Sequence, residues 1–105
     1  MEDFAQARLR ISITGIADEE FPGRIEFHID EASGRRHRGI EKMPVVGYAN
    51  QAFPCDGWIA CHVLGHLDSD GRRCLEVDTS PWHVETDEGV YRFVVDASNV
   101  NEAQS

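Results

Sequence analysis

The chain has 105 residues, of which 41% are hydrophobic and 28% are charged, proportions typical of one folded domain. Its 19 acidic residues outnumber its 10 lysines and arginines, and the resulting net charge of -9 disfavours binding to nucleic acid or anionic lipid. No apolar run is long enough to span a membrane, and the start, Met1–Asp3, is acidic where a signal peptide is basic, so we expect a cytoplasmic protein.

The N-terminal part of the chain contains two segments in which apolar and polar residues alternate. The apolar positions are Leu9, Ile11 and Ile13 in the first segment and Ile25, Phe27 and Ile29 in the second. A period of two places one face of a strand in a core and the other face in water. The pattern therefore predicts two strands, separated by an acidic turn at residues 18–23.

A third strand is predicted from about His37 to Val46. It contains Gly39 and Pro44, which indicate either a bulge or a position at the edge of a sheet. The residues that follow, 47–57, have the composition of a long loop.

A hairpin is predicted around the turn at residues 69–71. If Val63 and Val77 face the same core, hydrophobic alternation requires an odd number of loop residues, and a loop of three satisfies this. In that register His66 lies directly opposite Cys74. A further hairpin turns at residues 88–89, and the polar, aperiodic residues 97–105 predict a mobile tail.

These segments together predict one all-β domain over residues 1–105. Six to seven mainly antiparallel strands, built from hairpins, form a small barrel or sandwich, because closure removes exposed strand edges. No segment has the pattern of a convincing helix.

The cysteines offer little chemistry. An odd and sparse set of three predicts free thiols in a reducing compartment. In the predicted register His66 and Cys74 are half of a zinc site, but His62 is too far along the strand to complete it, and no C-x-x-C pair is present. We expect no cofactor, and a metal ion at His66 and Cys74 is kept as an alternative hypothesis.

One stretch of basic residues interrupts the acidic sequence, from Arg35 to Arg38. Such a patch can bind a phosphate or a carboxylate of a partner. Because Asp30 and Glu31 lie close by in the sequence, we expect them to neutralise the patch within the domain instead.

The 47–58 segment is the predicted recognition surface, because rigid aromatic side chains with adaptable amides suit binding to a protein. Its candidate partner-binding residues are Tyr48, Asn50, Gln51, Phe53 and Trp58. The alternative is that Phe53 and Trp58 plug the open end of the barrel.

No set of residues dictates a catalytic mechanism, so the sequence favours a non-enzymatic binding or interaction protein. An inhibitor or immunity protein that masks a basic partner fits the net charge of -9. The alternative is a small-ligand carrier or minor enzyme with a cavity at the barrel mouth. A core filled by Ile11, Phe27, Val63 and Phe93 would exclude that alternative. The oligomeric state is left open.

Overall fold

The computed structural model describes residues 6–20, 23–42, 47–48 and 52–102. The described chain forms one compact domain, an antiparallel sheet that curls into a half-barrel with two short 3-10 turns. The predicted all-β class is confirmed. Within the described ranges, no helix has the length and apolar character needed to cross a bilayer.

The sheet in the described residues has eight strands. In chain order they are β1 (Gln6–Asp18), β2 (Arg24–Asp30), β3 (Arg36–Lys42), β4 (Gly47–Tyr48), β5 (Cys55–Ser69), β6 (Arg72–Asp78), β7 (Arg92–Asp96) and β8 (Val100–Glu102). The main path runs β3-β2-β1-β5-β6-β7, with β4 paired to β5 and β8 paired to β1. β1 is therefore central, with β5 along one edge and both β8 and β2 along the other.

The concave face of the sheet forms the core. Its most buried large side chains are Leu9, Ile13, Ile25, Phe27, Ile29, Ile59, Leu75, Val77, Val84, Phe93 and Val95. Except for Val84, these residues lie in β1, β2, β5, β6 and β7, and those in β2, β6 and β7 occupy alternate positions, as the periodicity of the sequence predicts. Burying each such side chain contributes about 1.5–3 kcal/mol, so this face supplies most of the driving force for folding.

β3 lies at an edge of the sheet, as its glycine predicts. Gly39 pairs with Phe27 of β2. A Cβ atom built at Gly39 would lie 2.5 Å from Cζ of Phe27. The missing side chain thus lets the aromatic ring cover the neighbouring strand. Pro44, the other residue behind this prediction, lies outside the described residues.

The β5–β6 hairpin corrects the predicted loop. Ser69 pairs directly with Arg72, so only Asp70 and Gly71 form the turn. The φ angles are 51° at Asp70 and 76° at Gly71, and both are positive, as a two-residue type I′ turn requires. A register shift between Val63 and Gly65 compensates for the even number of loop residues, so Val63 still lies opposite Val77. The three-residue loop was wrong because a bulge within a strand can absorb the odd residue.

Two segments predicted to be irregular contain strands. β4 and the start of β5 both lie inside the predicted 47–57 loop. Residues 97–99 form a 3-10 turn, and β8 pairs with residues 7–9 of β1. Residues 97–102 therefore belong to the fold instead of to a tail, while residues 103–105 lie outside the described residues. Strands this short carry too few residues for alternation to reveal them.

The two ends of the curled sheet meet along a line that we call the seam, where residues 31–38 contact residues 86–94. The Ala32 N–H donates to the Val94 carbonyl over 2.9 Å, and the Val94 N–H donates to Glu31 Oε2 over 2.9 Å. The Asp87 N–H donates to the Arg38 carbonyl, also over 2.9 Å. These bonds satisfy part of the outer edge of β7, which would otherwise be open to another chain.

Candidate functional site

The structure separates the predicted recognition residues. Asn50 and Gln51 lie outside the described residues, and Tyr48 is described through its backbone, which pairs with Gly57 in β5. Phe53 is partly buried and packs against the core cluster, in agreement with the plug alternative. Trp58 is partly exposed and alternates with buried neighbours on β5, which places it on the outer, convex face of the sheet.

The predicted pairing of His66 with Cys74 is wrong. The bulge in β5 moves His66 opposite Leu75 and places Leu67 opposite Cys74. The Cys74 side chain is fully buried and its thiol lies 3.8 Å from the Arg72 carbonyl, whereas half of the His66 side chain is exposed. In the described part of the chain, no three side chains of His, Cys, Asp or Glu converge to hold a metal ion.

The outer face of the three central strands carries a group of polar side chains. Ser12 of β1 pairs with His28 of β2 on one side and with Asp56 of β5 on the other. Directly opposite residues in antiparallel strands project to the same face, with Cβ atoms about 4.5–5.5 Å apart. Arg10 pairs with Trp58 in the same way, and this pair lies two residues along the strands from Ser12 and Asp56, on the same face.

These side chains surround a hollow of about 210 Å³ that we call the outer-face depression. Its lining residues are Arg10, Ile11, Ser12, His28, Asp30, Asp56 and Asn99. It draws on three adjacent strands and on the 3-10 turn before β8. Rigid strands position side chains more accurately than loops do, which suits a binding site.

The charges in the outer-face depression differ in how they are satisfied. Asp30 accepts two hydrogen bonds from Arg36, of 2.8 and 3.2 Å, and this interaction lowers the pKa of the Asp30 carboxyl. Arg10 donates to the neutral Asn99 Oδ1 over 2.9 Å. Among the described residues, neither Arg10 nor Asp56 has an oppositely charged partner within 4.0 Å.

His28 adds an unsatisfied group to the outer-face depression. Its Nδ1 atom is buried, and no hydrogen-bond partner for it is found among the described residues. Buried polar atoms are nearly always hydrogen-bonded, and exceptions often mark a place where a ligand or water completes the site.

The seam shows the opposite arrangement, because its charges are neutralised internally. Glu31 Oε1 accepts a hydrogen bond of 2.8 Å from Nε2 of His37, which is only 4% exposed. Arg38 bridges the carboxylates of Glu26 and Asp87. Arg36 pairs with Asp30. The expected neutralisation of the basic patch by acidic neighbours is therefore observed in the structure.

Periodicity in the sequence predicts the polar faces of the strands but not which strands are neighbours in the sheet. In the structure β1 lies between β2 and β5. Only that order brings His28, Ser12 and Asp56 into one row. The sequence carries no local signal for this strand order, because the polarity of a strand face reports its exposure to water and not the neighbours along its edges.

Comparisons with protein-family models, with curated proteins and with solved structures give no match for this chain. The site geometry therefore carries the functional argument. The outer face offers a partly exposed indole, hydrogen-bond donors and acceptors, and charges of both signs. These groups can bind a ligand or a protein without a chemical step.

Proposed function

We propose that this protein is a non-enzymatic binding protein, of the inhibitor or immunity type, that masks a basic surface of a protein partner. The observation that carries the proposal is the place of Trp58, partly exposed in the middle of a rigid β-sheet face. Tryptophan is among the residues that contribute most to binding energy when a partner covers them. The proposed contact surface consists of Trp58 and the acidic turn that follows β1.

The acidic turn lies at the same end of the sheet as the start of β5. Cys55 pairs with Ile13, and β1 then continues to Asp18 at that end. Asp18, Glu19 and Glu20 are exposed, and none has an ion-pair partner among the described residues. Uncompensated charge of one sign attracts a partner of the opposite sign and accelerates association. This supports a basic partner.

The described interior of the half-barrel is occupied by side chains. Ile11, Phe27 and Phe93 are 3%, 0% and 1% exposed, and the partly buried Val63 packs against the same cluster. Phe53 also packs against it, which anchors the segment that precedes Trp58. This packing favours a partner on the outer surface over a ligand in the barrel mouth.

The proposal includes a cytoplasmic location. Cys61 and Cys74 are free, buried thiols, and burial raises the pKa of the Cys61 thiol to about 12. Unpaired cysteines are typical of proteins kept in a reducing compartment.

Affinity capture with the immobilised full-length protein tests the proposal. A protein from extracts of the source cell should be retained in low salt and released as salt is raised. We expect Trp58→Ala to weaken the binding of the purified partner by about 10-fold to 100-fold. Neutralising the acidic turn with Asp18→Asn, Glu19→Gln and Glu20→Gln should slow association.

Matched variants at other sites keep this test specific. Tyr91→Ala removes an exposed aromatic ring outside the proposed surface. Neutralising three exposed acids elsewhere, Asp68, Asp70 and Glu85, changes the net charge by the same amount. These control variants should retain the partner. Equal binding by Trp58→Ala and Tyr91→Ala, or retention of no protein at all, would contradict the proposal.

A further inference from the structure

The outer-face depression contains two opposite charges that do not neutralise each other. Arg10 and Asp56 lie on the adjacent strands β1 and β5, one pairing step apart on the same face. Such diagonal neighbours are about 7 Å apart along the sheet, within reach of long side chains. Yet no ion pair joins them, and in the described chain neither has another charged partner.

A hydrogen bond to a neutral residue holds Arg10 away from Asp56. Arg10 is bound to Asn99, which belongs to a 3-10 turn of residues 97–99. The turn is fixed by Asp96, whose Oδ1 accepts a hydrogen bond of 3.0 Å from the Ser98 N–H. Four of the five guanidinium donors of Arg10 have no hydrogen bond to the described protein atoms.

Neutral groups occupy the space between the charges. Ser12 pairs with Asp56 and stands next to Arg10 along β1. The unsatisfied Nδ1 atom of His28 lies across Ser12 on β2. Asp30 also lines the depression, but Arg36 neutralises it. The depression thus has one available positive end, one available negative end and hydrogen-bonding groups between them.

We propose that the outer-face depression binds a small zwitterion, an amino acid or ω-amino acid, with its carboxylate on Arg10 and its ammonium group on Asp56. Arg10 and Asp56 are both exposed, so a ligand with both charges can form two ion pairs at once, whereas a ligand with a single charge forms only one of them. This inference is independent of the proposed protein partner.

Three probes of equal length test this inference by NMR titration of the isotope-labelled full-length protein. The probes are 4-aminobutyrate, which is zwitterionic, butyrate, which is anionic, and butylamine, which is cationic. We expect 4-aminobutyrate to shift the backbone amides of residues 10–12, 28 and 56 with a Kd of about 1–10 mM, as befits so small a ligand. Butyrate and butylamine should bind at least about tenfold more weakly.

Variants at the two charges should remove the preference in different ways. With Arg10→Gln, 4-aminobutyrate should bind no better than butylamine, and with Asp56→Asn it should bind no better than butyrate. Arg73→Gln and Asp68→Asn make the same charge changes on the β5–β6 hairpin and should leave binding unchanged.

Two results would overturn the inference. One is equal affinity for the three probes, since the site would then not recognise separated charges. The other is the lack of any shift in the depression at about 100 mM 4-aminobutyrate. Neither result would affect the protein-capture test, which uses a different surface variant and a different readout.

Discussion

The seam and the outer-face depression are built from the same residue types but satisfy them differently. At the seam, Glu31 accepts hydrogen bonds from His37 and from the Val94 backbone, and Arg38 bridges two carboxylates. In the depression, Arg10 and Asp56 lie on neighbouring strands without pairing, and a buried nitrogen of His28 has no partner in the described chain.

This difference separates polar groups that hold the fold from polar groups that are available to a ligand. Buried groups with complete hydrogen bonding stabilise one arrangement of the chain, because breaking them exposes a desolvated atom. Exposed charges without partners contribute little to folding, and buried polar atoms without partners oppose it and are often found at functional sites. The comparison therefore predicts opposite effects of substitution in the two regions.

The largest effect is expected at Glu31, at the centre of the seam. Glu31→Ala leaves the Val94 N–H and the nearly buried His37 without their acceptor, and each lost bond costs about 1–3 kcal/mol. We expect the free energy of unfolding, measured in urea, to fall by about 3 kcal/mol. Glu31→Gln keeps one acceptor oxygen and should lose about half as much. An unfolding curve for Glu31→Ala that matches Glu85→Ala, an exposed control, would show that the seam does not stabilise the fold.

The next largest effect is expected at Gly39, where β3 meets the core beside the seam. Gly39→Ala places a Cβ atom 2.5 Å from the ring of Phe27, so the ring or the strand has to move. Overpacking of this kind costs about 2 kcal/mol. Gly15→Ala is the matched control, because a Cβ there meets nothing within 4 Å. If both variants unfold at the same urea concentration, the packing of Phe27 on β3 is looser than the structure describes.

Much of the framework behind this comparison was predictable from sequence, whereas the sites were not. Alternation over residues 8–14 and 24–30 predicts two strands and their buried faces, because the periodicity is local. The order of strands is not local, so the row of His28, Ser12 and Asp56 could not be foreseen. The bulge near Gly65 shows a second limit, since one extra residue in β5 was enough to separate His66 from Cys74.

A substitution at His28 should have the opposite sign from those at the seam. His28→Phe keeps an aromatic ring while removing the buried Nδ1 atom that has no partner among the described residues. Removing an unsatisfied buried polar group is expected to raise the free energy of unfolding by about 1 kcal/mol. The same urea titration measures this change. A loss of stability would mean that the imidazole contributes to the fold, and the contrast between the two regions would not hold at this residue.

The smallest effect is expected from Asp30, which lines the depression but is bound by Arg36 of the seam. The hydrogen bonds from Arg36 lower the pKa of the Asp30 carboxyl in the folded protein below its unfolded value. The pair therefore contributes stability above the unfolded pKa, and this contribution is lost as the pH falls through the folded pKa. Both side chains are more than half exposed, so solvent keeps the contribution small.

We expect the free energy of unfolding to fall less steeply between about pH 5 and about pH 2 in Asp30→Asn than in the wild type. Arg36→Gln should flatten the acid limb in the same way, because it removes the donor instead of the acceptor. If the free energy of unfolding falls with pH as steeply in both variants as in the wild type, Arg36 does not stabilise the Asp30 carboxylate, and Asp30 belongs with the unpaired groups of the depression.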